Sequence, residues 1–458
     1  MDKKFKDIIL LYDEKDIPNL HNIGFEILRF ECTCPADCER HTQVFHTGIS
    51  EKFESKLVSE VNDYYLSENS FNPDFLYCYV LEHYSTLSRG LVYDIDDEEE
   101  YEKFSLIKNL SKDIMNKLNT IDNFVLFIVN PYECSIDKND FVVLHKHLKE
   151  KNINPEKVIC GMYSNRHVNV WYKSICKKRK IKKKIKFAFC DFPLMRKAKE
   201  LMEYNFYGNS GDDFLTVKRE NKILCYNRRI TKPHRMLFLL SVERDKLFDG
   251  NLISFNFKFN EERHQLHSKD SEFEPYDEWD QDLFIDKSNY IKIFKKLLKR
   301  EKNVIDHENF DEINGFGFEY PEVYKNSYVS FVSESAFFDP YAYVTEKSFK
   351  PFCHFHPFVI MGSYGTVKKL KELGFKTFSD FWDESYDLEK NHNIRFEKVY
   401  NIFLQLNSMS LDELHNMYVK MIPILKHNYN LMNDYGEKED EFWNNYKTKI
   451  IEQFNDKS

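Results

Sequence analysis

The stretch that decides the predicted fold is residues 330–374, SFVSESAFFDPYAYVTEKSFKPFCHFHPFVIMGSYGTVKKLKELG. The apolar run Tyr328–Val332 is typical of a buried strand, and it ends in the polar residues 333–335. After a loop, a helix is predicted to begin at Glu346, with Thr345 as its N-cap. Pro357–Met361 is the next predicted strand. Because a helix joins the two strands, we expect them to pair in parallel within an α/β sheet.

The alternation of short apolar runs with helical spacing extends outward from this stretch. The predicted strands of the first half are Asp7–Tyr12, Phe25–Phe30, Phe75–Leu81, Asn123–Val129, Val158–Tyr163 and Ile185–Cys190. The second half adds the strand Lys222–Asn227 and the helices Pro233–Phe248, Tyr290–Leu298 and Thr366–Leu373. From about Glu389 onward the pattern predicts helices alone.

Two α/β halves and a helical tail predict two Rossmann-like domains whose parallel sheets face each other across a cleft. Residues 205–213, NFYGNSGDD, are rich in turn-forming residues and mark the boundary. We expect an N-terminal domain over residues 1–208, a C-terminal domain over 209–388, and helices over 389–458 that pack back across the domains. Parallel sheets bind ligands at the carboxyl ends of their strands, so the cleft is the expected site.

The composition of the 458 residues argues against several classes of protein. Glycine is scarce, at 13 residues, and the sequence has neither G-x-G-x-x-G nor the P-loop pattern, which disfavours dinucleotide oxidoreductases and P-loop NTPases. The formal charge of −9 is not that of a general polyanion binder. Neither a signal peptide nor an apolar stretch of about 18 residues is found in the sequence. We expect a cytoplasmic protein with reduced cysteines and no membrane partner.

The predicted helix start at Glu346 suits an anionic ligand. Its unpaired N–H groups carry a partial positive charge that favours phosphate, and Lys347 adds a full charge. The Glu346 carboxylate can accept hydrogen bonds from a ribose diol, and the backbone at Gly362 can approach a ligand closely. The alternative interpretation is an ordinary strand–loop–helix unit with a solvated Glu–Lys pair.

The segment resembles the donor-binding signature of the α1,3-fucosyltransferases. The likeness lies in residues 333–335 (SES), 343–347 (YVTEK) and 356–360 (HPFVI). Residues 373–387, LGFKTFSDFWDESYD, also resemble glycosyltransferase-like proteins of large DNA viruses and phages. The positions that match the family's motif, and to which the resemblance assigns donor binding, are Ser333, Glu334, Tyr343, Thr345, Glu346 and Lys347.

Residues 222–235, KILCYNRRITKPHR, resemble the family's strand, polar turn and Arg-bearing helix. By that match Asn227 is the turn residue, Arg228 joins the donor site and Arg235 meets the donor phosphate. A guanidinium makes bidentate phosphate contacts, and a helix that begins with Pro offers a second anion site. The alternative is that Arg228, Arg229 and Arg235 form a solvated basic turn.

The resemblance implies a GT-B architecture, with the donor in the C-terminal domain and the acceptor mainly in the N-terminal one. It also implies inverting transfer from a nucleotide-diphosphate sugar, with GDP-linked donors most typical. Lys347, Arg235 and the helix start would stabilise the leaving diphosphate, so neither a metal nor a cofactor is required. This chain departs from the family at Ser335 and Ala342, and the gap between the half-motifs is longer. These departures affect the predicted specificity for the donor sugar more than the predicted binding of the nucleotide diphosphate.

The implied reaction needs a carboxylate base that deprotonates the acceptor hydroxyl. Glu133 and Glu82 each follow a predicted strand in the N-terminal half. Glu133 is preferred because Pro131 sharply ends its strand. For both residues the alternative is an exposed acid in a loop.

Two clusters raise the question of a metal. Asp94 and Asp96 form a D-x-D pair, but they continue into the acidic residues 97–100, which favours a solvated loop. The second cluster consists of Cys32, Cys34, Cys38 and His41. These four ligands could close a Cys3His zinc site, although their spacing is not that of a standard finger.

Residues 177–186, KKRKIKKKIK, form a dense basic run. We favour a solvated helix surface; contact with phosphates of nucleic acid or of a charged acceptor is the alternative.

The resemblance leaves a glycan, a protein or a modified DNA base as acceptor, with the host cytoplasm as location if the chain is viral. The other hypotheses are a catalytically inactive nucleotide-sugar-binding module of the same fold and, last, a glycosidase with paired carboxylates.

Overall fold

The structure is a computed structural model of the 458-residue chain. It describes residues 5, 7–12, 54–57, 73–82, 107, 110, 112–129, 138–163, 167–190, 215–227, 232–256, 287–300, 302–303, 305, 321–338, 341–437 and 439–455. The chain divides into two compact units: Met1–Pro193 with Lys438–Ser458, and Leu194–Glu437. The boundary predicted after residue 208 lies outside the described residues.

The first unit contains a parallel sheet with the strand order β2-β1-β3-β4-β5-β6. Its strands are β1 (Asp7–Tyr12), β2 (Glu54–Leu57), β3 (Phe75–Glu82), β4 (Phe124–Val129), β5 (Val158–Tyr163) and β6 (Lys186–Cys190). The helices α1 (Lys112–Thr120), α2 (Lys138–Glu150) and α3 (His167–Arg179) alternate with β4, β5 and β6. Apolar residues of strands and helices share one buried cluster, which includes Phe124, Phe141 and Tyr172.

The second unit contains a sheet with the order β11-β10-β7-β8-β9. Its strands are β7 (Asn221–Tyr226), β8 (Leu252–Asn256), β9 (Lys302–Asn303), β10 (Ser327–Ser333) and β11 (Phe358–Met361). All pairs are parallel except β8 with β9. The helices are α4 (Pro233–Asp245), α5 (Lys287–Leu298), α6 (Pro321–Lys325), α7 (Glu346–Cys353), α8 (Thr366–Glu372), α9 (His392–Ser408) and α10 (Leu411–Glu437).

The chain enters the second sheet at its middle and leaves in both directions. From β7 it passes through α4 to β8 on one side. From β10, which pairs with β7 on the other side, it passes through α7 to β11. The point at which the order reverses therefore lies between the carboxyl ends of β7 and β10, where open α/β sheets bind their ligands.

The last helix, α11 (Glu439–Asn455), belongs to the first unit and packs against β6, β5 and β1. Gly161 in β5 permits this approach. A Cβ at that position would lie 2.6 Å from the Tyr446 hydroxyl oxygen and 2.8 Å from Cζ of Phe127. Since real Cβ atoms essentially never approach other atoms so closely, any larger residue at position 161 would force the side chains of Tyr446 and Phe127 to shift.

The predicted α/β class, the parallel sheets and the helical C-terminal region are confirmed, and the sheets are compatible with two Rossmann-like domains. The predicted strand Phe25–Phe30 lies outside the described residues. The predicted helix Pro233–Phe248 is shorter than expected, because Lys246 adopts a left-handed conformation with φ of 58° and ends α4 at Asp245. Across the described ranges, no helix is both long and apolar enough to cross a membrane.

Candidate functional site

Residues that follow β7 and β10 are joined by hydrogen bonds where the strand order of the second sheet reverses. Asn227 comes directly after β7 and is fully buried. Its Nδ2 donates to the Arg235 carbonyl oxygen in α4 at 3.0 Å. Arg235 Nη2 in turn donates to the carbonyl oxygens of Ser333 at 3.0 Å and Glu334 at 3.2 Å. The structure therefore brings together four of the residues that the resemblance assigns to the donor site.

Arg235 is buried, with 6% of its surface exposed. Its guanidinium donates to two backbone carbonyl groups at the carboxyl end of β10 and so satisfies part of their hydrogen-bonding capacity. The solvated basic turn considered as an alternative is therefore wrong for Arg235. Arg228 and Arg229 lie outside the described residues. The contact of Arg235 with a phosphate stays a prediction.

Glu334 is a fully buried carboxylate. Its Oε1 accepts from the Thr345 N–H at 3.1 Å and from the Ser348 hydroxyl. Its Oε2 accepts from the Ser335 N–H at 3.1 Å and from the Thr345 hydroxyl at 2.7 Å. These donors replace the water that a buried carboxylate loses, so Glu334 fastens the end of β10 to the start of α7.

The start of α7 has the predicted N-cap. The side-chain oxygen of Thr345 accepts from the Lys347 N–H at 3.3 Å. Because the same hydroxyl donates to Glu334, the cap residue is held by both the strand end and the helix. The N-terminal end of α7, and with it Glu346 and Lys347, is therefore fixed relative to the carboxyl end of β10.

Glu346 and Lys347 form an ion pair, with Lys347 Nζ 2.6 Å from Glu346 Oε1. The side chains are 13% and 27% exposed, so the pair is mostly buried rather than solvated. Burial by itself would raise the pKa of Glu346, but the positive charges of Lys347 and Lys350 outweigh it and lower that pKa to about 2. The Glu346 carboxyl group therefore stays ionised at neutral pH.

Glycine and serine residues after β11 complete this edge of the sheet. A Cβ at Gly362 would lie 3.2 Å from Cγ2 of Ile360 and 3.3 Å from Oγ1 of Thr366, so a larger residue would have to displace these neighbours by a few tenths of an ångström. The Thr366 hydroxyl donates to the Ser363 carbonyl at 2.8 Å and lies 3.5 Å from the Tyr343 carbonyl oxygen. This second contact joins the loop before α7 to the start of α8.

Buried polar atoms without a hydrogen-bond partner among the described residues gather at this edge. They are Oδ1 of Asn227, Nδ1 of His234, Oγ of Ser333 and Oγ of Ser363. Each of these residues is at most 2% exposed. Buried polar groups are nearly always paired in native proteins, so a group of unpaired atoms marks a place where water or a ligand completes the hydrogen bonding.

Sequence reasoning missed two residues that support the loop after β10. His234 Nε2 lies 2.9 Å from the Glu334 carbonyl oxygen, and its ring stacks on Phe337 at 5.2 Å. Arg395, 1% exposed, hydrogen-bonds to the carbonyl oxygens of Phe337 and Glu389, and its guanidinium lies 4.5 Å from the Phe337 ring centre. Burial lowers the pKa of Arg395 to about 10. A single arginine in the first turn of a helix gives no sequence signal of such burial.

The residues predicted for catalysis or metal binding fall largely outside the described residues. Glu82 is the last residue of β3 in the first unit, beside β1, where the order of that sheet reverses. The predicted base Glu133, the pair Asp94 and Asp96, and the cluster Cys32, Cys34, Cys38 and His41 are all outside the described ranges. Within those ranges, no group of three or more His, Cys, Asp or Glu residues could hold a metal ion.

Comparison of the chain with protein-family models, with curated proteins and with solved structures finds no match. The resemblance to the fucosyltransferases therefore depends on the residues quoted above.

Proposed function

We propose that this chain is a metal-independent glycosyltransferase of GT-B type. It would transfer a sugar from a nucleotide-diphosphate donor to a hydroxyl acceptor, with inversion at the anomeric carbon as the resemblance implies and with GDP-linked donors favoured. One observation carries the proposal. The two segments that carry the resemblance, one with Asn227 and Arg235 and the other with Glu334 and Thr345, are linked by hydrogen bonds at the switch point of the second sheet.

The chemistry of this edge suits a leaving diphosphate. The proposed phosphate contacts are the first-turn N–H groups of α7 and the ammonium of Lys347. Lys347 is held by Glu346 at 2.6 Å, so it is already oriented before a donor binds. A donor phosphate would share this cation with the Glu346 carboxylate. The ribose diol remains the proposed partner of Glu346.

The acceptor would bind mainly in the N-terminal domain, which carries the proposed base. Glu133 remains the proposed base and Glu82 its alternative. The end of β3 at Glu82 lies at the switch point of the first sheet, which supports Glu82 as the alternative base. A glycan, a protein or a modified DNA base remains the proposed acceptor.

The second candidate is a catalytically inactive module of the same fold that binds a nucleotide sugar. Two observations favour it. The Arg235 guanidinium already donates hydrogen bonds to two backbone carbonyl groups. Ser335 and Ala342 replace motif residues of the family that the chain resembles. Such a module would bind donors without turnover.

Calorimetric titration with GDP, UDP and their sugar conjugates tests both candidates. Loss of a hydrogen bond to a charged group costs about 1.5–3 kcal/mol, so Lys347→Ala should weaken diphosphate binding about 10- to 150-fold. Lys368→Ala is the matched control, because Lys368 is exposed on the neighbouring helix α8. Release of free nucleoside diphosphate with an acceptor mixture separates the enzyme from the module. Absence of binding by any nucleoside diphosphate contradicts both.

A further inference from the structure

A basic segment, residues 177–184, is presented on the surface of the first unit. It covers the last turn of α3 and the turn that precedes β6. Its exposed cations are Lys177, Lys178, Arg179, Lys180, Lys182, Lys183 and Lys184. The other member, Ile181, is partly buried and packs against the apolar core of this unit. Within residues 177–184, no apolar side chain is therefore exposed beside these charges.

The basic segment is held in place by its own backbone and by core residues. Lys180 adopts a left-handed conformation with φ of 56°, and the Ile181 N–H donates to the Cys176 carbonyl at 2.9 Å, which ends α3. The Ile185 N–H donates to the hydroxyl of the buried Tyr172 at 2.7 Å. The lysines therefore extend from a fixed turn, so binding would require ordering of side chains but not of the backbone.

Among the described residues, these charges have no carboxylate partner. In the described part of the chain, no Asp or Glu lies within ion-pairing distance of a cation of the basic segment. The chain as a whole carries a formal charge of −9, so this concentration of positive charge is a local exception. Like charges at such close spacing repel one another, and a polyanion would relieve that repulsion.

The position of the basic segment separates it from Glu82, the alternative to Glu133 as the proposed base. The segment precedes β6, so it lies at the amino ends of the parallel strands of the first sheet. Glu82 ends β3 and therefore lies at the opposite edge of the same sheet. A partner held by the basic segment would be docked on the molecule without occupying the carboxyl edge.

We propose that the basic segment docks the phosphate backbone of nucleic acid without reading its sequence. Regularly spaced phosphates match a row of exposed cations on a fixed turn. A membrane surface fits less well. Membrane-binding basic segments combine their charges with apolar or aromatic residues that insert into the lipid, whereas Ile181 packs against the protein core. The proposal stands independently of the proposed transferase activity.

Fluorescence anisotropy with a labelled 24-base-pair DNA duplex tests the proposal on the full chain without any nucleotide sugar. With about four phosphate contacts, the slope of log K against log[salt] should be near −3.6, a loss of about 150-fold between 50 and 200 mM KCl. The variant K182E/K183E/K184E should bind at least about tenfold more weakly at 50 mM and show a shallower slope. The milder K182Q/K183Q/K184Q should fall between the two.

The matched control is K292E/K295E/K299E, which changes three exposed lysines on and after α5 by the same charge. It should retain the affinity of the unaltered protein. Equal weakening by both charge-reversal variants would show that net charge, not the basic segment, determines binding. Absence of duplex binding at 50 mM, or binding to phosphatidylserine vesicles in preference to the duplex, would overturn the proposal.

Discussion

Replacing Glu334 with Gln tests whether the buried carboxylate fastens α7 to β10. Two of its four donors are hydroxyl groups, on Thr345 and Ser348, which can rotate to accept instead. The other two are the backbone N–H groups of Ser335 and Thr345, one on each carboxylate oxygen, and these cannot change direction. A glutamine offers one oxygen, so in either orientation its NH2 group faces one of these backbone donors.

The unavoidable loss is therefore one hydrogen bond from a backbone N–H to a charged acceptor, about 1.5–3 kcal/mol. If α7 opens locally, its amide hydrogens in Glu346–Cys353 should exchange about 10- to 150-fold faster, at 1.4 kcal/mol for each factor of ten. Hydrogen exchange measured by mass spectrometry reports this without requiring the two units to unfold together.

Glu372→Gln is the control for this substitution, because Glu372 is exposed at the end of α8 and its oxygen is 4.0 Å from Lys368 Nζ. It should leave the exchange of α7 unchanged. Glu334→Ala, which removes both acceptor oxygens, should accelerate exchange further. If Glu334→Gln leaves α7 as protected as the control does, the carboxylate does not hold the helix and the reasoning is refuted.

Two further predictions concern the ion pair and the last helix. The pKa of Glu346 is lowered from 4.5 to about 2, so its stabilising contribution is complete above pH 4.5 and is lost as the pH falls toward 2. Urea unfolding should therefore show the stability difference between the protein and Glu346→Gln shrinking over that range; a constant difference would contradict it. Gly161→Ala places a Cβ 2.6 Å from the Tyr446 hydroxyl oxygen and should cost about 1–3 kcal/mol through overpacking. Faster hydrogen exchange in α11, partly restored by adding Tyr446→Phe, is the expected result, and unchanged exchange would exclude close packing there.

The sequence predicts the central strands well because their burial leaves long apolar runs. β4 (FVLFIV) and β10 (SYVSFVS) are such cases. β2 (ESKL) was not predicted, because a short edge strand with charged residues carries neither an apolar run nor clear alternation. β8 (LISFN) was missed as well, although its sequence is largely apolar.

The sequence predicts where the candidate site lies in the fold better than it predicts the hydrogen bonds within the site. The sequence places Asn227, Glu334 and Thr345 at strand ends and a helix start, and the structure joins them. It does not reveal that Arg235 would bind backbone carbonyl groups at the end of β10, because that contact depends on the pairing of β7 with β10. Nor does it reveal that the Glu334 carboxylate would accept from the Thr345 N–H, because that contact depends on how the loop between β10 and α7 folds. The burial of Arg395 likewise follows from tertiary packing, since its carbonyl partners are Glu389 and the distant Phe337.

The return of residues 438–458 to the first unit has a consequence for biosynthesis. The ring centres of Phe5 and Phe454 are 5.4 Å apart. Residues at the start of the chain therefore cannot complete their packing until residues more than 400 positions later have been translated. Nascent domains commonly fold as they leave the ribosome, N-terminal ones first. Here the opening sheet would emerge without the helix that covers β6, β5 and β1, while the inserted unit has its whole sequence available earlier. A ribosome-stalled chain ending near residue 437 should accordingly protect the insert from protease before it protects the sheet that flanks it.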